Sequence, residues 1–195
     1  WSWSRGLGDV YKRQDITVSS LTALTGSYAE VKDFRDELAN YTTESNIVKV
    51  TLDAGAVDSA SDLATLSANL QTNVNAALQI DLQNVTTITG SFNDLNTIRT
   101  NTGALGSGSD FISFDGRALT LNETISVANA NTLSGGTSGL VTATITTGAV
   151  ADLNVLSDGG GQTNNFTMTI NDTTVDAGDL KTLRGKTSAV SYTHL

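Results

Sequence analysis

Phe166-Thr167-Met168-Thr169-Ile170-Asn171-Asp172-Thr173-Thr174-Val175-Asp176-Ala177-Gly178-Asp179-Leu180-Lys181-Thr182-Leu183-Arg184-Gly185 carries two hydrophobic periods in one short run. Phe166, Met168 and Ile170 alternate with threonine, the period-two signature of a half-buried strand. Leu180 and Leu183 then fall three apart, as on a short helix that shows one face to a core. Thr174 is placed to cap that helix, Asp176 and Asp179 complement the positive end of its dipole, and Gly185 marks its end. The stretch reads as one strand followed by one helix.

The same two halves recur along the chain. The alternating sets Ile16/Val18, Val48/Val50/Leu52, Leu78/Ile80/Leu82, Leu119/Leu121 and Val141/Ala143/Ile145 read as strands. Val31/Phe34/Leu38, Leu63/Leu66/Leu70, Leu95/Ile98 and Leu153/Leu156 read as helix faces. Residues 21–34 and 85–98 match in character at most positions, 64 residues apart. Strand-helix alternation implies parallel strands with crossover helices. A doubly wound sheet, covered on both faces, has strands that are apolar throughout. Here one strand face stays polar, so helices are expected on one side only.

From Leu121 to Ile145 to Ile170 the chain advances 24 and then 25 residues, the period of one-strand-one-helix coils. The expected fold class is therefore α/β, a repeat solenoid with one short parallel strand and one short helix per coil. About six coils fill residues 15–189, and the Gly/Ser-rich residues 101–116 are expected to loop out as an insertion. Leu63, Leu66, Ile80, Leu95, Leu121, Ile145, Leu153, Ile170, Leu180 and Leu183 are the expected core. Tandem β-sandwich domains with Thr-rich strands are the alternative, but they would lack the paired leucine spacing and show more hairpin turns.

Both ends of the chain read differently from its body. Asp9-Val10-Tyr11-Lys12-Arg13-Gln14 back-translates to a stretch whose reverse complement, in a shifted frame, spells Val190-Ser191-Tyr192-Thr193-His194 and the start of a Leu codon. Residues 4–14 and 190–195 resemble a translated sequencing-library adapter, so residues 1–14 and 190–195 are expected to be non-native tails. The body, residues 15–189, then reads as an interior, metagenomic piece of a longer bacterial open reading frame.

Setting the tails aside removes the single His and both Trp and leaves eight basic against nineteen acidic side chains, a net charge of −11. A chain this acidic repels phosphate backbones and anionic lipid, so nucleic-acid and membrane-surface partners are not expected. No apolar run reaches the length of a membrane span. Without Cys there is neither a disulfide framework nor thiolate chemistry. With no His in the body, His-based triads and the usual zinc sites are excluded as well. Glu30, Glu37, Glu44 and Glu123 show no spacing that singles out a carboxylate pair, so no catalytic residue is expected.

The strings Asp172-Thr173-Thr174-Val175-Asp176-Ala177-Gly178-Asp179-Leu180-Lys181-Thr182-Leu183, Val141-Thr142-Ala143-Thr144-Ile145 and Val85-Thr86-Thr87-Ile88-Thr89-Gly90 resemble the tandem repeats of very large, acidic, Thr-, Ala- and Asp-rich surface or secreted proteins of aquatic bacteria. The resemblance covers nearly all of residues 15–189 and implies an extracellular or cell-surface, adhesion-like role, with no catalytic residues to carry over. The expected function is that of a structural or adhesion-like repeat segment of a large bacterial surface protein. Its expected partners are polysaccharide or cell-surface components and neighbouring repeats of the same chain. A calcium- or carbohydrate-binding module of a secreted protein is the alternative.

Four sets of residues bear on candidate chemistry. Gly106-Ser107-Gly108-Ser109-Asp110-Phe111-Ile112 follows part of a calcium-binding nonapeptide, with Leu105 where another Gly belongs. Asp110 and, as an extra oxygen donor, Asp115 are the candidate calcium ligands; no other cofactor is expected. Gly185-Lys186-Thr187 evokes a phosphate-binding loop, yet Leu180 stands where that motif needs Gly, so a helix end is the better reading. Asp172, Asp176 and Asp179 read as helix-start residues rather than a metal cluster. Finally, Thr142/Thr144 and Thr167/Thr169 would stand in register on a parallel sheet, where regular hydroxyls can order water or pack against carbohydrate. Lys49/Thr51, Gln79/Asp81 and Thr120/Asn122 are expected to break that regularity.

Overall fold

The computed structural model describes residues 16–17, 21–37, 41–42, 46–157, 164–188 and 192–194. The expected tail 1–14, and the apolar positions Val18 and Leu38, lie outside the described residues. In chain order the first elements are β1 (Ile16–Thr17), β2 (Ala23–Gly26), α1 (Tyr28–Asp36), β3 (Tyr41–Thr42), β4 (Lys49–Leu52), β5 (Gly55–Val57) and α2 (Ala60–Asn73). Next come β6 (Gln79–Asp81), β7 (Val85–Gly90), α3 (Phe92–Thr100), β8 (Phe111–Ile112), β9 (Ala118–Ile125) and α4 (Val127–Ser134). The last are β10 (Val141–Ile145), α5 (Val150–Leu153), β11 (Asn165–Ile170), α6 (Ala177–Arg184) and β12 (Tyr192–His194).

The chain is α/β, with two all-parallel sheets. β2, β4, β6 and β8 form one sheet in that order, and β5, β7, β9, β10, β11 and β12 form the other, again in chain order. Every strand pairing in both is parallel. β1 and β3 make a separate parallel pair. β12 falls within the expected tail 190–195 and pairs with β11; main-chain hydrogen bonding makes little demand on side-chain identity.

The expectation of a single strand before each helix holds for β10 and β11 but is corrected for three other runs. The runs that begin at β4, β6 and β8 turn a corner, at residues 53–54, 82–84 and 113–117, and continue as β5, β7 and β9 in the second sheet. Such short second arms are hard to read: β5 contains one buried apolar residue, Val57, too few to display a period. The corner before β9 uses Ser113 at φ 63° and Gly116 at φ 80°; Ser113 is the only non-glycine with positive φ among the described residues. Residues 21–34 and 85–98 do share a local plan of strand, serine cap and helix. They belong to different sheets, however, because β2 lies in the four-stranded sheet and β7 in the six-stranded one.

Serine sets most helix starts. Ser27, Ser59, Ser91 and Ser126 each accept from the backbone N–H three residues on, at 3.1–3.2 Å. Ser27 completes a capping box, its own N–H donating to Glu30 Oε2 at 2.8 Å. For α6 the cap is Asp176, which accepts from Gly178 N at 2.7 Å, two residues beyond the expected Thr174. Gly185 is the C-cap and stays right-handed at φ −69°, so the helix ends there without the left-handed turn that glycine usually supplies.

A continuous core runs from Val31 to Leu183 between the helices and the inner faces of the sheets. Leu63, Leu66, Ile80, Leu95, Leu121, Ile145, Leu153, Ile170 and Leu183 are all buried in it. Leu180 is corrected to a surface residue, 36% exposed. α6 packs against α5, a helix of four residues, which gives it too narrow a flank to bury two leucines. Val48 is likewise exposed, because Ile47 takes the buried place at the entry to β4.

The insertion at 101–116 does not simply loop out. Its end supplies β8, and Phe111, Ile112 and Phe114 are buried. Its first part folds back over the four-stranded sheet, held by the buried Gln79. Gln79 Nε2 donates to Ala104 O at 3.2 Å and Ser109 Oγ at 2.8 Å, and its Oε1 accepts from Gly106 N at 2.6 Å. Beside it the buried Asp81 accepts from Lys49 Nζ at 3.2 Å and Gln83 N at 3.1 Å. This cover accounts for the burial of Gln79, and β4 and β6 bury residues of both parities, Thr51 and Asp81 among them.

Candidate binding surface

Asp110 and Asp115 bracket β8, and each is already engaged. Asp110 accepts from Gln71 Nε2 at 3.0 Å and from Asn101 Nδ2 at 3.3 Å. Asp115 Oδ1 accepts from Ser138 N at 2.7 Å, Gly116 N at 2.8 Å and Ser138 Oγ at 2.9 Å. The Ser138 amide, then its hydroxyl, hold the Asp115 carboxyl below the usual carboxylate range. These partners are N–H and O–H donors, and the two carboxylates do not share one. Among the described residues no group of three or more His, Cys, Asp or Glu is placed to hold a metal ion.

Two other carboxylates cap a helix that precedes them in the chain. Asp172 Oδ2 accepts from Val150 N, the first amide of α5, at 2.7 Å, and Glu123 Oε1 accepts from Phe92 N, the first amide of α3, at 2.7 Å. Asp176 is the N-cap of α6 and Asp179 lies in its first turn. Thr187, from the Gly185-Lys186-Thr187 motif, is buried: its hydroxyl accepts from Phe166 N at 2.8 Å and lies 3.1 Å from Asn164 O. It stitches the end of α6 to β11, and its oxygen is not directed at solvent.

The sheet threonines form a more regular array than the sequence suggests. Thr144 pairs with Thr167, while Thr142 pairs with Asn165, so the two Thr-x-Thr pairs are offset by two residues from the expected alignment. On the other side Thr142 pairs with Thr120 and Thr144 with Thr124, because an irregularity in β9 lifts Asn122 out of the row. Thr120 in turn pairs with Thr89. Two rows result, Thr89-Thr120-Thr142-Asn165 and Thr124-Thr144-Thr167, crossing the strands of the six-stranded sheet. The residues expected to interrupt them, Lys49/Thr51 and Gln79/Asp81, belong to the other sheet. Burial alternates along β10 and β11, with the threonines outward and Ala143, Ile145, Phe166 and Met168 inward.

Elsewhere, Ser27, Tyr28 and Ala29 face residues 52–58 across a cleft of about 270 Å³. Burial and the nearby Asp62 raise the Tyr28 phenol above its ordinary range. A second cleft, of about 360 Å³, lies beside Lys181, Arg184, Gly185, Thr187 and Ser188 at the end of α6. Among the described residues no helix is long and apolar enough to cross a membrane. No protein-family model matches the chain, and no curated protein or solved structure is significantly similar to it.

Proposed function

We propose that the chain is a structural, adhesion-like repeat segment of a large extracellular bacterial surface protein, organised as a solenoid of strand-helix units. The observation that carries this reading is the strand order: in both sheets each strand pairs with the ones before and after it in that sheet, in chain order and in parallel. The polar stitches follow the same rule. Asn131 in α4 donates to Val155 O at 2.9 Å and accepts from Ser157 N at 2.7 Å, both just beyond α5. Asn164, ahead of β11, accepts from Val141 N in β10 at 2.9 Å. Contacts restricted to neighbouring units are the property that lets a repeat array extend without limit. The work of such a segment is geometric, holding an extended polar surface at a fixed spacing. Its partners in this reading are polysaccharide or other cell-surface components and further repeats of the same chain.

Removing one unit tests it. Deleting residues 142–164 brings Asn165 to the register position of Thr142, against β9. The shortened chain is expected to fold, to keep its circular dichroism per residue and to melt cooperatively. Loss of folded structure on this deletion would mark a closed domain and sink the repeat reading.

A further inference from the structure

The outer face of the six-stranded sheet differs from the rest of the molecule in charge, bonding and order. The chain carries 20 acidic and 11 basic residues, yet among residues 55–57, 85–90, 118–125, 141–145 and 165–170, which make this face, only Glu123 is charged, and its Oε1 accepts from Phe92 N. The hydroxyls of its two threonine rows are also unclaimed, although Thr86 beside them donates to Gly55 O at 3.0 Å. Helix threonines such as Thr65, Thr97, Thr132 and Thr182 donate to the carbonyl four residues back. Thr89, Thr120, Thr142, Thr124, Thr144 and Thr167 have no partner among the described residues. Their order is two-dimensional: neighbouring strands repeat at about 4.8 Å and alternate residues along a strand at about 6.6 Å.

Those properties restrict the ligand. An anionic polymer would need cations, and this face has none. A sugar chain bound singly is gripped by aromatic stacking in a cleft, whereas the two threonine rows offer Ala, Thr and Asn; of the two clefts described above, one touches this sheet only at residues 55–57 and Val85, and neither is lined by a threonine of the rows. One threonine hydroxyl holds a water weakly, so only a partner with its own two-dimensional repeat can sum many such contacts. We propose that this face binds ice, the threonine hydroxyls anchoring lattice waters while the methyl groups between them exclude competing liquid water. The proposal rests on strand register alone and does not need the repeat or surface-protein reading.

The test uses the whole chain in ice-recrystallisation and thermal-hysteresis measurements, with circular dichroism confirming the fold of each variant. Thr144→Lys and Thr167→Lys put a long cation at the centre of the array, Thr144→Ala removes the hydroxyl and methyl without adding charge, and Thr132→Lys is the helix-side control. Wild type and Thr132→Lys are expected to keep ice crystals small, and each sheet variant to need at least about tenfold more protein for the same effect. Folded wild type with no effect on ice, or sheet variants as active as wild type, would overturn the proposal. So would retention on crystalline cellulose or chitin without any action on ice, which would assign the face to a polysaccharide instead.

Discussion

Gly139 and the backbone of Arg117 approach so closely that a β-carbon on Gly139 would stand 2.1 Å from the Arg117 carbonyl oxygen. That oxygen cannot retreat freely, because it accepts from Thr137 Oγ1 at 3.0 Å. The Arg117 guanidinium is tied down as well, donating to Leu82 O at 3.2 Å, Val85 O at 2.8 Å and Gln83 O. β9 and β10 meet here, so glycine at 139 sets how closely two successive strands can stack. Gly139→Ala should destabilise the fold by about 1–3 kcal/mol through overpacking against backbone. A lowered urea midpoint with unchanged slope would show it. Gly136→Ala should cost less, since a β-carbon there meets Arg99 Cδ, which can swing aside.

Asn164 carries the polar link from β11 back to β10. It is 1% exposed, its Oδ1 accepts from Val141 N and its Nδ2 donates to Ser134 Oγ at 3.0 Å. Asn164→Ala leaves a buried amide and a buried hydroxyl without partners, an expected loss of about 2–3 kcal/mol. Thr120→Ala, on the open sheet face, should stay within about 0.5 kcal/mol of wild type. Chemical denaturation of the two variants side by side checks the contrast, and equal losses would contradict it.

The buried faces were legible because they follow a period: Leu63 and Leu66 at helical spacing and Val141, Ala143 and Ile145 at strand spacing all reach the core. What was not legible depends on partners distant in sequence. Gln79 reads as an exposed strand residue until the insertion 101–116 folds over it. Asp172 reads as a start signal for its own helix, yet it caps α5, the helix before that one. The two threonine rows depend on an irregularity inside β9, which moves Thr124 opposite Thr144. No local pattern encodes such a shift, since register is a property of two strands and not of either alone.

Gln79 also gives a direct check on the folded insertion. Gln79→Ala removes every hydrogen bond by which that side chain holds Ala104, Gly106 and Ser109. Leu105, already 57% exposed, should then become a protease-sensitive site while the thermal melt shifts by a few degrees. Limited proteolysis followed by mass spectrometry reads the cleavage position. A wild-type chain cut at Leu105 as fast as the variant would show that Gln79 does not hold the insertion.

Asp115 links acid stability to the question of calcium. Its folded carboxyl titrates below its ordinary range, chiefly because of the Ser138 amide and hydroxyl. A group lowered in this way contributes stability above its unfolded pKa of about 3.9, and the contribution is lost as pH falls through the folded value. Glu30, lowered by the Ser27 amide and then its hydroxyl, acts in the same direction. Stability should therefore fall between about pH 5 and pH 3, and Asp115→Asn should flatten that decline. Urea midpoints across this range measure both effects. Calcium would have to displace the hydrogen-bond donors that hold Asp115 and Asp110, most of them N–H groups, which cannot themselves ligate a cation. Millimolar calcium at neutral pH should accordingly leave the melting temperature unchanged, and a rise that Asp110→Asn abolishes would restore the calcium reading.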